Sequence, residues 1–321
     1  MTALPKFEDV QQAHERIKPY IHQTPVMRSE LLDAHCGVQL FCKCENLQKI
    51  GAFKIRGALN AALQLPKEKL ESGVATHSSG NHAAALAKAS QVVDCTARIV
   101  MPSNAPAPKK AAVRAYGGII TECEPTLTAR ETTLEQIIAD TGATLVHPYN
   151  NSHVIAGQGT LGLELHAQTE HLDVVITPVG GGGMLSGTSL AMKTLSPNTR
   201  IIGAEPTGAD DAQRSLRAGR IIPMENPNTI ADGLLTSLGE INFALIKQHV
   251  DDILTVTDTQ IVEAMHWVWS RMKIIIEPSA ATSLAVVMAY PEQFAGQRVG
   301  VVFSGGNLDF GRVAQLFADI S

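Results

Sequence analysis

Long runs of one residue class are missing from this chain of 321 residues. No stretch of Lys and Arg exceeds two residues, and 26 basic against 31 acidic residues leave a net charge of −5. This balance gives no electrostatic reason to expect nucleic-acid binding. No apolar run approaches the roughly 20 residues that span a bilayer, so no membrane segment is predicted. The first ten residues include Lys6, Glu8 and Asp9 and no apolar core, so we expect no secretory signal.

A disulfide framework is also missing. The cysteines are odd in number and repeat no spacing; they are Cys36, Cys42, Cys44, Cys95 and Cys123. A reduced, intracellular setting follows, and we predict a cytoplasmic protein. Cys42 and Cys44 lack the C-x-x-C spacing and the second ligand pair of a zinc site, so we interpret them as alternate residues of a strand.

Short apolar segments alternate with helical patterns along the chain, which is typical of parallel α/β sheets. The predicted strands are Val74–His77, Ala97–Met101, Ile119–Glu122, Thr144–His147, Val174–Thr177, Ile201–Glu205 and Val299–Phe303. The predicted helices are His82–Ser90, Lys109–Tyr116, Leu127–Thr141, Gly157–Gln168, Met184–Leu195, Thr259–Lys273 and Ser279–Ala289. We predict two three-layer α/β domains with mainly parallel sheets and a cleft between them.

Lys54 is the candidate catalytic residue. It lies between Phe53 and Ile55, ahead of a predicted helix, in the segment Gly-Ala-Phe-Lys-Ile-Arg-Gly. Apolar neighbours desolvate the ammonium group, lower its pKa, and make the amine a better nucleophile and base. A buried, salt-bridged lysine is the structural alternative.

Four consecutive glycines, Gly180–Gly183, end a predicted strand and open a helix. Glycine lets backbone N–H groups approach an anion closely, and a helix N-terminus adds a favourable dipole. A dinucleotide site is the competing interpretation, because Glu205 ends the next strand 22 residues after Gly183, where a ribose-binding acid belongs. The G-x-G-x-x-G spacing fails, however, since Ser186 or Leu185 stands where the third glycine is required.

Two further turns follow predicted strands. Ser78–His82 joins a strand end to a helix start, and its hydroxyl, amide and N–H groups suit a carboxylate. A plain helix cap would have the same sequence. Ser304 follows the strand Val299–Phe303 and begins Ser-Gly-Gly-Asn, which is also ordinary turn chemistry. Neither turn is diagnostic by itself.

Together, Gly51–Gly57, Ser78–His82, Gly180–Met184 and Ser304–Asn307 resemble the cofactor site of the tryptophan-synthase-β-like superfamily of pyridoxal-phosphate (PLP) enzymes, fold type II. Within it, nearly the whole chain resembles the serine racemase/threonine dehydratase family. The resemblance implies that Lys54 holds PLP as a Schiff base and then removes the Cα proton of the substrate. The implied cofactor-binding residues are Phe53, Lys54, Asn81, Gly180, Gly181, Gly182, Gly183, Met184, Gly233, Glu277 and Ser304.

The resemblance also implies which groups surround the substrate. Those nearest its carboxylate would be Ser78, Ser79, Asn81, His82 and Arg130. Ser79 would be the second acid–base group if the enzyme racemises its substrate. An arginine at position 130 would also favour a dicarboxylic substrate such as 3-hydroxyaspartate. A buried structural role for His82 is an equal alternative. A Ser304 hydroxyl on the pyridine nitrogen would suit β-elimination over transamination.

The segment from Glu205 to Asp211 is a candidate metal site. Two carboxylates and a carbonyl oxygen can hold a hard cation together with water. The resemblance implies Mg²⁺ (or Ca²⁺ or Mn²⁺) bound by Glu205, the backbone oxygen of Ala209 and Asp211. Without the resemblance, helix capping by Asp210 is the better interpretation.

The resemblance places a small inserted α/β domain, residues 70–148, within a large PLP-binding domain, residues 1–69 and 149–321, with PLP in the cleft. It implies a dehydratase (ammonia-lyase) that converts L-threonine or L-serine to 2-oxobutyrate or pyruvate and ammonia. The near alternatives are a serine racemase with side dehydratase activity and a threo-3-hydroxyaspartate dehydratase. An NAD-dependent dehydrogenase and a catalytically silent PLP-fold binding protein are the other classes. A homodimer is the family expectation.

Overall fold

A computed structural model of the chain describes residues 3–318 and arranges them around two β-sheets. The strands are β1 (Val26–Met27), β2 (Gln39–Cys44), β3 (Val74–His77), β4 (Ala97–Pro102), β5 (Ile119–Cys123), β6 (Thr144–Leu145), β7 (Val174–Pro178), β8 (Arg200–Pro206), β9 (Asp252–Val256) and β10 (Arg298–Phe303). The larger sheet has the order β1-β2-β10-β7-β8-β9, and the smaller sheet has the order β5-β4-β3-β6. All neighbouring strands are parallel except β1 and β2.

Helices connect the strands and cover the sheets. The first group is α1 (Phe7–Ile17), α2 (Glu30–Cys36), α3 (Lys54–Ala62), α4 (Lys67–Ser72), α5 (Asn81–Val92), α6 (Ala107–Ala115), α7 (Leu127–Thr141) and α8 (Ser152–Gln168). The second group is α9 (Gly183–Leu195), α10 (Asp211–Ala218), α11 (Glu240–His249), α12 (Asp258–Trp267), α13 (Pro278–Ala289), α14 (Pro291–Phe294) and α15 (Phe310–Ala318). Among residues 3–318, no helix is long and apolar enough to cross a membrane.

Alternate residues of the central strands bury against opposite helical layers. In β7, Val174 and Ile176 pack in the cluster that contains α12 and α13, whereas Val175 packs with residues of α8 and α9. In β4, Ile99 packs with α3 and α5, whereas Val100 packs with Leu134 of α7. Because side chains of a strand alternate between faces, a strand that is apolar at every position becomes the middle of three layers. The prediction of an α/β fold with mainly parallel sheets is confirmed.

The strands of the smaller sheet all fall between residues 74 and 145, and those of the larger sheet fall outside that span. The domain bounds at 70 and 148 stay a prediction, because strand pairing does not define where a domain ends. Several element bounds differ from the sequence-based expectation, most by one or two residues; α8 begins at Ser152, five residues before the predicted Gly157. Strand β6 ends at Leu145 instead of His147, and α12 ends at Trp267, where a π-helical turn, Val268–Met272, continues the chain.

Candidate active site

The ends of parallel strands from both sheets border one cleft of about 680 Å³. Ligands bind at the carboxyl ends of parallel strands because the connecting loops meet there. Here the loops after β3, β6, β7 and β10 take part. The sequence-predicted residues that line the cleft are Phe53, Lys54, Ser78, Ser79, Asn81, His82, Arg130, Gly180, Gly181, Gly182, Met184, Gly233, Glu277 and Ser304. The structure therefore brings together segments that are far apart in the chain.

Lys54 is the first residue of α3, and its amine faces the cleft. Its Nζ donates a hydrogen bond to Pro148 O at 3.0 Å and lies 5.2 Å from the centre of the Phe53 ring. Desolvation by burial lowers the pKa of Lys54 to about 8. No carboxylate forms an ion pair with it among the residues described. The lowered pKa leaves about a tenth of the amine neutral at pH 7, which suits it to nucleophilic attack and proton abstraction better than an ordinary lysine.

The turn that carries Lys54 is attached to the end of β10. Phe53 N donates to Ser304 O at 3.0 Å, and Ala52 forms an isolated bridge with Gly305. Ser304 is buried and lines the cleft. These backbone bonds hold the start of α3, which carries Lys54, beside Ser304.

The tetraglycine Gly180–Gly183 is buried at the start of α9. A Cβ at Gly181 would lie 2.4 Å from ring carbons of Tyr149, and one at Gly180 would lie 3.0 Å from Leu234 Cα. Gly182 has φ +90°, a conformation that favours glycine. Since the first N–H groups of a helix lack intrahelical partners, this backbone fits the phosphate of PLP. Gly183 lies against Tyr149 and does not line the cleft.

Asn81 opens α5, and its amide is held from two directions. Its Nδ2 donates to Glu277 Oε1 at 2.8 Å, and its Oδ1 accepts from Asn307 Nδ2 at 2.9 Å. Glu277 Oε2 accepts from Asn307 N at 3.1 Å. Burial, with a smaller contribution from Asp232, raises the pKa of Glu277 to about 7. Glu277 therefore orients Asn81 at the cleft. Gly233 also lines the cleft, and its N–H donates a hydrogen bond to Ser279 Oγ at 3.0 Å.

His82 lies beneath the Ser78–His82 turn with only 2% of its surface exposed. Its Nε2 lies 3.0 Å from Val146 O, and burial lowers the pKa of the ring to about 3. A neutral ring must donate from Nε2 to that carbonyl, which leaves no donor for a substrate. The geometry favours the structural alternative for the ring. Ser78 N donates to Val100 O, so among the described residues the turn's N–H groups that stay available for a carboxylate are those of Ser79, Asn81 and His82. Ser79 lines the cleft beside it, and Ser78 Oγ accepts from Gly80 N at 3.3 Å.

Arg130 lies in the first turns of α7 and lines the cleft. Its Nε donates to Thr126 O at 3.3 Å, and its guanidinium forms no ion pair within residues 3–318. Sequence reasoning missed two neighbours of Arg130 on this wall, His77 and His147. The sequence contains a signal for both histidines, because each follows a short apolar segment that forms a strand, and the carboxyl ends of these two strands lie at the cleft.

Glu205 and Asp211 are both fully buried. The two oxygens of Glu205 accept from Ala212 N and Gln213 N at 2.9 Å, so this acid is not presented to a ribose as a dinucleotide site requires. Desolvation by burial raises the pKa of Glu205 to about 9 and that of Asp211 to about 7. Asp211 Oδ2 accepts from Leu238 N at 3.2 Å, whereas Oδ1 has no partner among the described residues.

Glu205 and Asp211 do not by themselves form a complete metal-binding site. Within residues 3–318 there is no group of three or more His, Cys, Asp and Glu side chains that could hold a metal ion. A cation would need the backbone oxygen of Ala209 and water in addition to Glu205 and Asp211. The unpartnered Asp211 oxygen fits such a cation, as does the lack of an ion pair to either acid in the described range. Asp210 makes no capping bond with its side chain and instead accepts from Arg214 Nε at 2.8 Å.

Comparison with known proteins identifies the family. The pyridoxal-phosphate-dependent enzyme family matches residues 17–305. This chain belongs to that family. It is 51% identical over 310 residues to the β-hydroxyaspartate dehydratase of Paracoccus denitrificans, covering 97% of this chain and 98% of the relative. It is 48% identical over 313 residues to the serine racemase of Dictyostelium discoideum, covering 96% of this chain and 97% of the relative.

A solved structure shows the same fold. The maize serine racemase is 42% identical, covers 99% of this chain and 98% of its own, and superposes with a TM-score of 0.94. The fold is that of the fold type II PLP enzymes, as the four motifs predict. The relatives include lyases and racemases, so family membership leaves the reaction open between these two outcomes.

Proposed function

We propose that this enzyme is a PLP-dependent ammonia-lyase that dehydrates β-hydroxy amino acids and prefers the dicarboxylic substrate 3-hydroxyaspartate. The supporting observation is Arg130, which lines the cleft and whose guanidinium forms no ion pair with the described carboxylates. A guanidinium binds a carboxylate with paired, charge-assisted hydrogen bonds. Serine and threonine, which the sequence alone ranks first, carry no second carboxylate for it.

Lys54 would perform the proton transfer at Cα. Its amine has a pKa of about 8, so about a tenth of it is neutral and able to accept a proton at pH 7, far more than for an ordinary lysine. When bound, PLP supplies an electron sink for the negative charge left on Cα. Loss of the β-hydroxyl as water gives an unsaturated amine, and hydrolysis of its imine form releases the oxo acid and ammonia. From 3-hydroxyaspartate the oxo acid is oxaloacetate.

The cleft offers separate places for the anionic groups. The tetraglycine turn would hold the cofactor phosphate, and the start of α5 around Ser78, Ser79 and Asn81 would hold the α-carboxylate. Arg130 remains for the distal carboxylate. Each of the three anionic groups would then bind its own set of donors. Binding at these three points would orient Cα toward Lys54.

We also propose that Glu205, Ala209 and Asp211 bind a divalent cation such as Mg²⁺. A cation would ionise both buried acids and engage the unpartnered Asp211 oxygen. Because Leu238 N is bonded to Asp211, the cation would brace the 234–239 segment that borders the cleft.

Racemisation of serine is the second candidate function, and one observation favours it. Ser79 lines the same cleft as Lys54. A racemase needs an acid–base group on each face of Cα, and a hydroxyl group is suited to the second position. Pyruvate and D-serine measured in one incubation of the holoenzyme with L-serine and Mg²⁺ separate the outcomes. D-serine at or above the level of pyruvate would favour racemisation.

The main test compares kcat/KM for L-threo-3-hydroxyaspartate, L-serine and L-threonine. The Arg130→Leu variant should lose about 10- to 100-fold for the dicarboxylate and much less for serine, since one charge-assisted contact is removed. Arg217→Leu, at an exposed position on α10, is the matched control. A wild-type preference for serine or threonine, or equal losses for all substrates, would contradict the dicarboxylate proposal.

A further inference from the structure

His77 and His147 are brought to one place by strand register. Strands β3 and β6 are parallel neighbours in which Ala75 pairs with Leu145. Each histidine lies two residues beyond this pair. Although β6 ends at Leu145, Val146 N still donates to Ala75 O, so both histidines lie at the carboxyl edge of the sheet, close enough for His77 to affect the pKa of His147. Both residues line the cleft. The strand register is therefore a reason for both to border the same part of the substrate site.

The hydrogen bonds of His147 determine its tautomer. Its Nδ1 lies 3.3 Å from Tyr149 N and 2.9 Å from Asn150 N, and both of these backbone groups are donors. Nδ1 must therefore accept, and the proton of the neutral ring must be on Nε2. Burial, with smaller contributions from His77 and Lys54, lowers the pKa of His147 to about 4. The ring presents a neutral N–H donor, and Nε2 makes no hydrogen bond within residues 3–318.

The His77 ring, like Nε2 of His147, is available to bind a ligand. Its ring has no hydrogen-bond partner in the described part of the chain, and burial, reinforced by the charge of Arg130, lowers its pKa. Glu131 also lines the cleft and acts in the opposite direction on His77. Glu131 offsets part of the positive charge of Arg130 at this wall, so neutral N–H donors would add to its attraction for an anion. Lys54 and His77 also lower the pKa of His147, and both histidines contribute to the lowered pKa of His82.

We propose that His77 and His147 are specificity-determining residues that bind the distal carboxylate of the substrate together with Arg130. The inference rests on the proposed function and deepens it. The cofactor phosphate and the α-carboxylate are already assigned to two helix N-termini. The N–H donors of His77, His147 and Arg130 have no assigned ligand. Two imidazole N–H groups beside a guanidinium match the several acceptor sites of one carboxylate. Serine and threonine would leave all three donors to water.

Paired substitutions test each histidine in the holoenzyme. His147→Leu and His77→Leu remove the donor, whereas His147→Gln and His77→Gln keep a side-chain N–H. Each Leu variant should lose about 10-fold more kcat/KM for 3-hydroxyaspartate than for L-serine, and the Gln variants should recover most of that difference. Equal losses for the two substrates would overturn the inference, because they would indicate a general disturbance of the Lys54 turn. His153→Leu, at an exposed position on α8, is the control.

A binding measurement makes the inference independent of turnover. Calorimetry should show that the holoenzyme binds succinate more tightly than butyrate, and that His147→Leu removes most of this preference. If 3-hydroxyaspartate is not turned over but the succinate preference depends on the histidines, the proposed function fails and the inference stands. If 3-hydroxyaspartate is the preferred substrate and both Leu variants keep that preference, the inference alone fails.

Discussion

The two walls of the cleft are built in opposite ways. The wall from the larger sheet presents the buried backbone of Gly180–Gly183, where an added Cβ at Gly181 would overlap Tyr149. The wall from the smaller sheet presents partly exposed side chains, including Ser79, Arg130 and His147. A backbone cradle cannot be retuned by exchanging side chains, whereas a side-chain wall can. This difference suits a family whose members keep one cofactor and carry out different reactions.

The largest expected effect is at Lys54, which lies where the two walls meet. Lys54→Ala should reduce turnover more than about 1,000-fold because the Cα base is removed. The variant should keep its thermal midpoint within a few degrees, since an amine facing a cleft adds little to packing. Lys67→Ala, on an exposed face of α4, is the control. Near-normal turnover of Lys54→Ala would remove this residue from the mechanism.

The next effect tests the backbone wall. Gly181→Ala would place a Cβ 2.4 Å from the Tyr149 ring, and overpacking of this kind should lower PLP affinity about 10- to 100-fold. Gly219→Ala is the control, because the nearest neighbour of its added Cβ is Lys247 Nζ at 4.0 Å, so this variant strains the backbone at a positive φ without overlapping a side chain. It should cost about 1 kcal/mol of stability and leave PLP affinity unchanged. Equal PLP affinity in both variants would refute the glycine cradle.

A smaller effect tests the cation site behind the backbone wall. Mg²⁺ should raise the thermal midpoint of the wild-type protein by a few degrees, and EDTA should reverse the rise. Asp211→Asn should remove the response, because the unpartnered oxygen loses its charge. Asp210→Asn should keep it, since Asp210 bonds to Arg214. A Mg²⁺ response that survives Asp211→Asn would locate the cation elsewhere.

The smallest effect concerns the Glu277 contact that joins the two walls. Because the pKa of Glu277 is raised to about 7 in the folded chain, the folded state binds more protons than the unfolded state between about pH 4.5 and 7. In protein stripped of cofactor, this group should make the free energy of unfolding fall with rising pH, by at most about 1.4 kcal/mol per pH unit. Glu277→Gln should flatten that slope in urea titrations. An unchanged slope would show that other groups cause it.

Much of the fold was readable from local patterns. The helix Leu127–Thr141 has the bounds that its sequence predicts, and the apolar strands of both series are present. The register-dependent features were not readable. Strand β2 pairs with β10, which lies more than 250 residues away, and no local signal encodes that distance. His147 was predicted as a strand residue, yet its ring accepts two backbone N–H bonds and turns toward the cleft.

The sequence by itself indicated the cofactor chemistry through the resemblance of four separated motifs to one family, since each motif alone also fits ordinary turn or capping chemistry. Only the tertiary structure determined the protonation state and the hydrogen-bonding role of each titratable side chain. Burial removed His82 from the list of donors, and paired backbone N–H groups set the tautomer of His147. Protonation and orientation depend on neighbours brought from distant segments, and desolvation acts only after those segments pack.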